Sequence, residues 1–245
     1  MGIITAIWEK WIEFKFEWKK ITAAALVSPI LYMIALGWGL GSSATVTDRP
    51  YIDFLVPGLI AMCTMTNSFS AVATTLNVQR LFEHSFEQII ISPTSLTQYV
   101  IGQAVGGALR GMYSGLLILL ISLPFGIGIR VTPLFFLVML LNGVAFGALG
   151  VLAAILANTH ADTSRYSTFI ITPMTFLCNT LFPLEKVPDV IEVLIRILPL
   201  THASGQLRSI SYGEGVSVWS ILILGAYAVL FLTLSVYFIK KRRNF

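Results

Sequence analysis

Three residues just after the end of a long apolar run have types that can do chemistry together: His160, Asp162 and Ser164 in the segment NTHADTSRY. A nucleophile, a base and a carboxylate so close in sequence do not make a triad, because triads are defined by spatial geometry. Catalysis is therefore not expected. The chain has no GxxxxGK[ST] phosphate loop, so it does not bind ATP by that route. It has no HExxH pair, and its two cysteines, Cys63 and Cys178, both lie in apolar segments. They read as buried free thiols rather than a disulfide or a metal pair. His84 and His202 read as hydrogen-bonded or interfacial side chains. The remaining chemistry is charge in unusual places. Arg110 lies midway along an apolar run, where a lone cation costs at least ~2.5 kcal/mol. It must face a partner or a wet cavity, as an interhelical clamp or as a pathway residue. Asn67 and Asn142 are amides in similar settings and join Arg110 as candidate pathway residues.

The elements that hold these residues are membrane spans. Of 245 residues, 56% are hydrophobic and only 11% are charged, with a mean hydropathy of +0.82. A soluble domain carries about 25% charged residues. The formal charge of +4 includes the terminal run Lys240–Arg243, which reads as a cytoplasmic flank and not as a nucleic-acid site. The expected fold is an all-α polytopic membrane domain of one unit, residues 1–245. Six spans are predicted at 21–40, 54–77, 99–123, 134–157, 167–181 and 216–239. Pro29 is expected to kink the first span, and Gly37, Gly39 and Gly41 to close it. The second is rich in hydroxyls and amides, from Thr64, Thr66 and Asn67 to Ser70, Thr74 and Thr75. Such groups more often glue helices than bind ligands. Glycines from Gly102 to Gly115 give the third span a face for close packing.

Three segments are amphipathic without being long enough, or apolar enough, to cross a bilayer. Residues 1–20 place Glu9, Lys10, Glu13, Glu17 and Lys20 on one arc, opposite Ile4, Trp8, Trp11 and Trp18. This predicts a helix lying in the membrane interface with its acidic ridge toward the cytoplasm. No cleavable signal peptide is expected there. Gln79–Ile91 predicts a short helix presenting Glu83 and Glu87 one turn apart, stopped by Ser92-Pro93. Residues 183–210 are broken by Pro183, Pro188 and Pro199, and Asp189–Leu198 carries Val190, Val193, Leu194 and Ile197 on one face with Glu192 and Arg196 turned away. A re-entrant hairpin is expected. Basic residues divide ten to five, with Lys10, Lys15, Lys19, Lys20, Arg80, Arg165 and Lys240–Arg243 on one side and Arg49, Arg130, Lys186, Arg196 and Arg208 on the other. This bias predicts cytoplasmic termini and an external hairpin.

Four stretches in this order, YIDFLVPGLIAM, EQIIISPTS, GQAVGGALRG and LFPLEKVPDVIEVLIRILPLTHASGQLR, make nearly the whole chain similar to the permease subunits of the type-2 ABC exporter superfamily. That superfamily includes drug, polysaccharide and lipo-oligosaccharide exporters. The resemblance implies an ATP-driven exporter of an amphipathic drug-like, lipid-linked or saccharide substrate, in the cell inner membrane. It implies two copies of this chain with two copies of a separate ATPase subunit, which would carry the ATP and Mg, and no cofactor in this chain. Membrane lipids are the remaining partners. It makes residues 79–91 a coupling helix, with Gln79, Arg80, Phe82, Glu83, Phe86 and Glu87 as ATPase-coupling residues, joined by Glu9, Glu13 and Glu17 of the amino-terminal helix. It makes the hairpin an external gate, with Pro183, Pro188, Glu192, Arg196, Pro199 and Arg208. The chain lacks the large extracellular domain and the fused ATPase of some relatives. Two other readings follow from the residues alone: a non-transporting receptor or immunity protein that recruits a cytoplasmic partner, and an ion-driven secondary transporter. The last would want paired acidic residues inside the spans.

Overall fold

The computed structural model describes residues 2–39, 45–46, 49–92, 94–125, 127–183 and 188–243. The end of the first predicted span (Leu40 and Gly41), Pro93, Lys186 and the last two residues lie outside them.

Ten α-helices are described: α1 (Gly2–Tyr32), α2 (Tyr51–Leu81), α3 (Ser85–Ile91), α4 (Leu96–Ser122), α5 (Pro133–Leu156), α6 (His160–Tyr166), α7 (Thr172–Leu177), α8 (Asp189–Ile197), α9 (Pro199–Tyr212) and α10 (Val218–Arg243). Two-residue strands β1 (Thr45–Val46) and β2 (Arg49–Pro50) form a minimal antiparallel ribbon before α2. α2, α4 and α5 form the centre, with α1 against α4 and α10 against α5.

Close approach explains that centre. Side-chain-free positions on α4 and α5 leave no space for a methyl group: a Cβ on Gly107 or Gly111 would overlap Val72 or Ser68 of α2, and one on Gly147 would overlap the Ala104 carbonyl of α4. Small residues are how membrane helices gain contact when no hydrophobic drive separates helix from lipid. Phe69, Phe135, Phe146, Leu59 and Met139 fill the spaces left between the backbones.

The first correction concerns α1. The sequence predicts an interfacial helix over 1–20 and a separate span from 21. The structure has one uninterrupted helix from Gly2 to Tyr32, about 46 Å long, continued by a π-helical turn over Met33–Trp38. Nothing in EWKKITAAAL breaks a helix, and Pro29 does not end it. Buried positions recur at four-residue intervals, Gly2, Ala6 and Lys10, then Ile21, Ala25 and Pro29.

Six spans are predicted; among the described residues, five helices are long and apolar enough to cross a membrane by themselves: Gly2–Gly37, Tyr51–Leu81, Leu96–Ser122, Pro133–Leu156 and Val218–Lys241. The predicted fifth span at 167–181 follows directly on α6 and consists of a π-helical turn (Ser167–Ile171) and α7, whose helix ends at Leu177. Its first turns are polar, and its last residues, Cys178 to Phe182, leave the helix, with Asn179 in a left-handed conformation.

Candidate coupling surface and polar clusters

The predicted helix over Gln79–Ile91 is split. Gln79, Arg80 and Leu81 are the last turn of α2, the chain turns through Phe82 and Glu83, and His84 adopts φ 54° before α3 begins. The left-handed residue redirects α3 and gives the two halves different tasks. Arg80 donates to the carbonyls of Ala154, Ile155 and Ala157, which closes the carboxyl end of α5 with a cation where the helix dipole favours one. Phe86 is buried against Tyr99 of α4. Gln79 donates to Glu9. These three residues anchor the element. Phe82, Glu83, His84, Glu87, Gln88 and Ile91 are exposed, Phe82 by 66% and Ile91 by 83%. His84 Nδ1 lies 3.6 Å from Glu87, so the exposed surface is mixed in charge with aliphatic and aromatic edges.

The acidic ridge of α1 is turned the other way from the sequence expectation. Glu13 is the hub of a partly buried cluster. It accepts from Arg110 Nη1 at 3.0 Å, from Lys10 Nζ at 3.1 Å and from Thr75 Oγ1 at 3.0 Å, and Lys10 also donates to the Ala71 carbonyl at 3.0 Å. Glu9 accepts from Gln79 of α2 and from Gln103 of α4, whose amide also donates to Tyr99 Oη at 3.0 Å. Only Glu17 remains exposed, paired with Lys20. The physical reason is a seam of small residues. A Cβ on Gly102 would come within 2.8 Å of the Ile3 carbonyl, and one on Gly106 within 2.9 Å of the Lys10 side chain. α1 can approach α4 so closely that its polar face pairs with Gln103 and Arg110, while Ile4, Trp8 and Trp11 face outward. An amphipathic period says that a helix has two faces; it does not say which one meets protein.

Arg110 is thus an interhelical clamp, with a quarter or less of its side chain exposed. Asn67 donates to Cys63 in its own helix, and Asn142 donates to the Ala61 carbonyl across to α2. These bonds do not bring the three candidate pathway residues together. The three residues His160, Asp162 and Ser164 do not converge either. Asp162 caps α6 with Thr159 in a reciprocal box and pairs with Arg165, while His160 Nδ1 meets Asn77 Oδ1 at 3.0 Å. The capping bonds from Thr159 hold the Asp162 carboxyl below the usual carboxylate range. Cys63 and Cys178 are buried and free.

At the opposite end, α8 and α9 form the predicted helical pair with its turn at Pro199. Pro188 precedes α8, Pro183 is buried, and Glu192 and Arg196 pair one turn apart. The apolar residues Val190, Val193, Leu194 and Ile197 are all exposed. Arg208 is buried, donating from Nε and Nη2 to the Phe54 carbonyl and from Nη2 to the Asn179 carbonyl, with its guanidinium 3.6 Å from the Phe54 ring centre. Tyr51 Oη donates to the Leu181 carbonyl, and Gly58 lets Thr180 touch the α2 backbone. The sequence marked Arg208 but not its partners, because carbonyl acceptors carry no residue signature. Lys10, Thr75, Tyr99 and Gln103 escaped for a related reason: each is unremarkable until a second helix lies alongside.

Long, mostly apolar helices packed through small residues, with charged clusters confined to their contacts, define a multi-pass membrane protein. The chain belongs to the ABC-2 type transporter family, which matches residues 1–212. It is 31% identical over 242 residues to nodulation protein J of Rhizobium meliloti (strain 1021), covering 95% of this chain and 92% of that one. It is 29% identical over 209 residues to the inner membrane transport permease YadH of Escherichia coli (strain K12), covering 84% and 81%. A second nodulation protein J, from Bradyrhizobium diazoefficiens, is 26% identical across 97% of this chain and 93% of its own. The protein is a multi-pass transport permease of the cell inner membrane.

Proposed function

We propose that this chain is the membrane subunit of an ATP-driven exporter, with hydrolysis on a separate ATPase subunit that carries the ATP and Mg. The observation that carries this reading is the exposed turn Phe82–His84 with α3, held by Arg80 and Phe86 to the ends of three long helices. A short, rigidly based element with two exposed carboxylates and two exposed apolar side chains suits docking in a groove of a soluble partner. Two copies of the chain with two ATPase subunits form the working unit. Both termini are cytoplasmic, the π-helical turn and α7 with residues 178–181 serve as the sixth crossing, and the α8–α9 hairpin closes the outer end. Transport is then a shift between inward-open and outward-open populations, driven by partner closure against α3. The substrate is amphipathic, drug-like, lipid-linked or saccharide in character.

The test is purification of the tagged chain from its native membrane in mild detergent. A stoichiometric ATP-binding subunit should accompany the wild type and be lost from the Glu83→Ala/Glu87→Ala double variant. Recovery of the wild-type chain alone across several detergents would overturn the exporter reading and favour a receptor or an ion-driven carrier.

A further inference from the structure

The aromatic side of α1 takes no part in the polar clusters. Trp8, Trp11, Lys15 and Lys19 fall on one stripe of that helix, at spacings of three, four and four residues, and all four are exposed. Lys19 Nζ lies 5.7 Å from the centre of the Trp18 ring. Beside the tryptophans, the seam between α1 and α4 opens into a cavity of about 480 Å³. Its walls are apolar, with Ile7, Trp8 and Trp11 on one side and Leu109 on the other. Phe14 and Tyr113 bound one end, edge to face with ring centres 4.8 Å apart, and Tyr113 Oη meets Thr22 Oγ1 at 2.8 Å. Toward that end the lining is cationic, from Lys10 and Arg110, and no carboxylate lines the cavity among the described residues.

The two cations are not balanced. Lys10 and Arg110 share the one carboxylate of Glu13, while Glu9, one turn back, is held by Gln79 and Gln103. Lys10 also donates to the Ala71 carbonyl. Arg110 gives only Nη1, and its Nε and Nη2 reach no acceptor among the described residues. A guanidinium carries five N–H groups in a fork that matches phosphate. One surplus positive charge with open donors, at the end of an apolar cavity, calls for a singly charged anion with an apolar tail. A free inorganic anion would leave the apolar walls in water, and a lipid of zero net charge brings a cation along with its phosphate. Lys15 and Lys19 extend the stripe in the same sense, because their stems lie along apolar surface while their ammonium groups reach lipid phosphates. The volume falls within the roughly 300–1,000 Å³ of small-molecule sites, room for a head and the start of one chain whose remainder lies in the bilayer.

We propose that the cavity between α1 and α4 holds one acidic phospholipid of the surrounding bilayer, its phosphate on Arg110 and its chain against Trp8, Trp11 and Leu109. The lipid is a resident of the seam that fastens α1 to α4, and the site stands whatever molecule is transported and whichever ATPase drives it. Because α1 also holds Gln79, at the base of the coupling turn, through Glu9, a lipid that fastens α1 steadies that turn.

The test uses the full chain in phosphatidylcholine nanodiscs containing a trace of phosphatidylglycerol with a photoreactive diazirine near the head of one chain. Labelling should map to residues 4–14 and 106–113 and be suppressed by unlabelled phosphatidylglycerol. It should fall about tenfold in Arg110→Gln, as loss of a charge-assisted bond predicts, and Arg110→Lys should retain most of it. Lys15→Gln/Lys19→Gln, which alters only exposed side chains, should lower it about fivefold or more. Leu109→Trp fills the cavity from a half-exposed position and leaves every charge in place, so it should abolish labelling without unfolding the chain. In detergent, added phosphatidylglycerol should raise the thermal midpoint of the wild type and not that of Leu109→Trp. Equal labelling of these residues by a phosphatidylcholine probe, labelling unchanged in Leu109→Trp, or an equal rise in both midpoints would overturn the proposal. So would a photoreactive fatty acid that phosphatidylglycerol fails to displace, which would give the cavity to a free carboxylate. Conversion of a dimer to a monomer by Leu109→Trp would overturn it as well, by making this face a subunit contact.

Discussion

Two arginines, one partly and one almost fully buried, are satisfied in opposite ways. Arg110 on α4 takes a carboxylate, Glu13, from a helix far away in sequence, and Glu13 is shared with Lys10 and Thr75. Arg208 on α9 takes no carboxylate. It gives its N–H groups to the carbonyls of Phe54 and Asn179 and lies over the Phe54 ring. The first arrangement depends on α1 staying alongside α4, because every partner of the cation arrives on a side chain. The second depends on backbone, so it fixes where α9 sits on the first turn of α2 and on the segment after α7. One end of the molecule is thereby held by exchangeable ion pairs, and the other by a cation built into the main-chain framework. The exchangeable end is the one beside the coupling element, since Gln79, three residues before the turn at Phe82, lies next to the same cluster through Glu9.

The largest effect should come from Arg208→Met. It leaves two carbonyls without their charged donor and removes the cation–π contact, so thermal unfolding in detergent should show the lowest midpoint of the variants described here, a loss of about 3 kcal/mol or more. Next in size is Glu13→Gln, which leaves Lys10 and Arg110 facing each other without their shared carboxylate. Adding Arg110→Met should recover part of that loss, with a coupling energy of about 1–3 kcal/mol in a double-mutant cycle. Strict additivity would mean that the pair is not coupled and would remove the contrast drawn above. Arg208→Met combined with Glu13→Gln should by comparison be additive, as the two sites share no partner. Glu83→Ala/Glu87→Ala should change stability by less than about 0.5 kcal/mol, because both side chains are exposed, while abolishing ATPase capture. The smallest effect belongs to Asp162. Its carboxyl is held below 3.8, so the contribution of the α6 cap is fully present above that value and lost as pH falls beneath it toward the lower folded value. Asp162→Asn should flatten that acid limb of the pH–stability curve and leave neutral pH nearly unchanged.

Much of this was legible in residue types. The four uninterrupted apolar runs became α2, α4, α5 and α10 with ends displaced by a few residues, because about 20 apolar residues in succession have one stable solution in a bilayer. The prolines at 188 and 199 bound α8 where expected, since a residue without an N–H cannot continue a helix. The sequence marked Glu83 and Glu87 as a pair, and the structure leaves both exposed. It did not reveal the break between them and α2, because the left-handed turn falls on His84, a residue with no turn signature. Nor did it reveal that 167–181 would be shortened, because a mixed polar and apolar run is compatible with a span, a composite helix or a surface segment.

What the chain determined by itself is its solvent and its periods: that it must be built of long apolar helices, where four of them lie, and that α1 and α8 are two-faced. These follow from transfer free energy and backbone chemistry, which act locally. What only the tertiary structure decided is which face meets protein. α8 keeps its apolar face outward, and α1 turns its charges inward, although both carry the same kind of pattern. The difference lies in the neighbour. Gly102 and Gly106 open a seam on α4 deep enough for Lys10, and Gln103 and Arg110 beside it offer partners for Glu9 and Glu13. A polar face is buried when its partners are already in place on another helix, and no period within one helix contains that information.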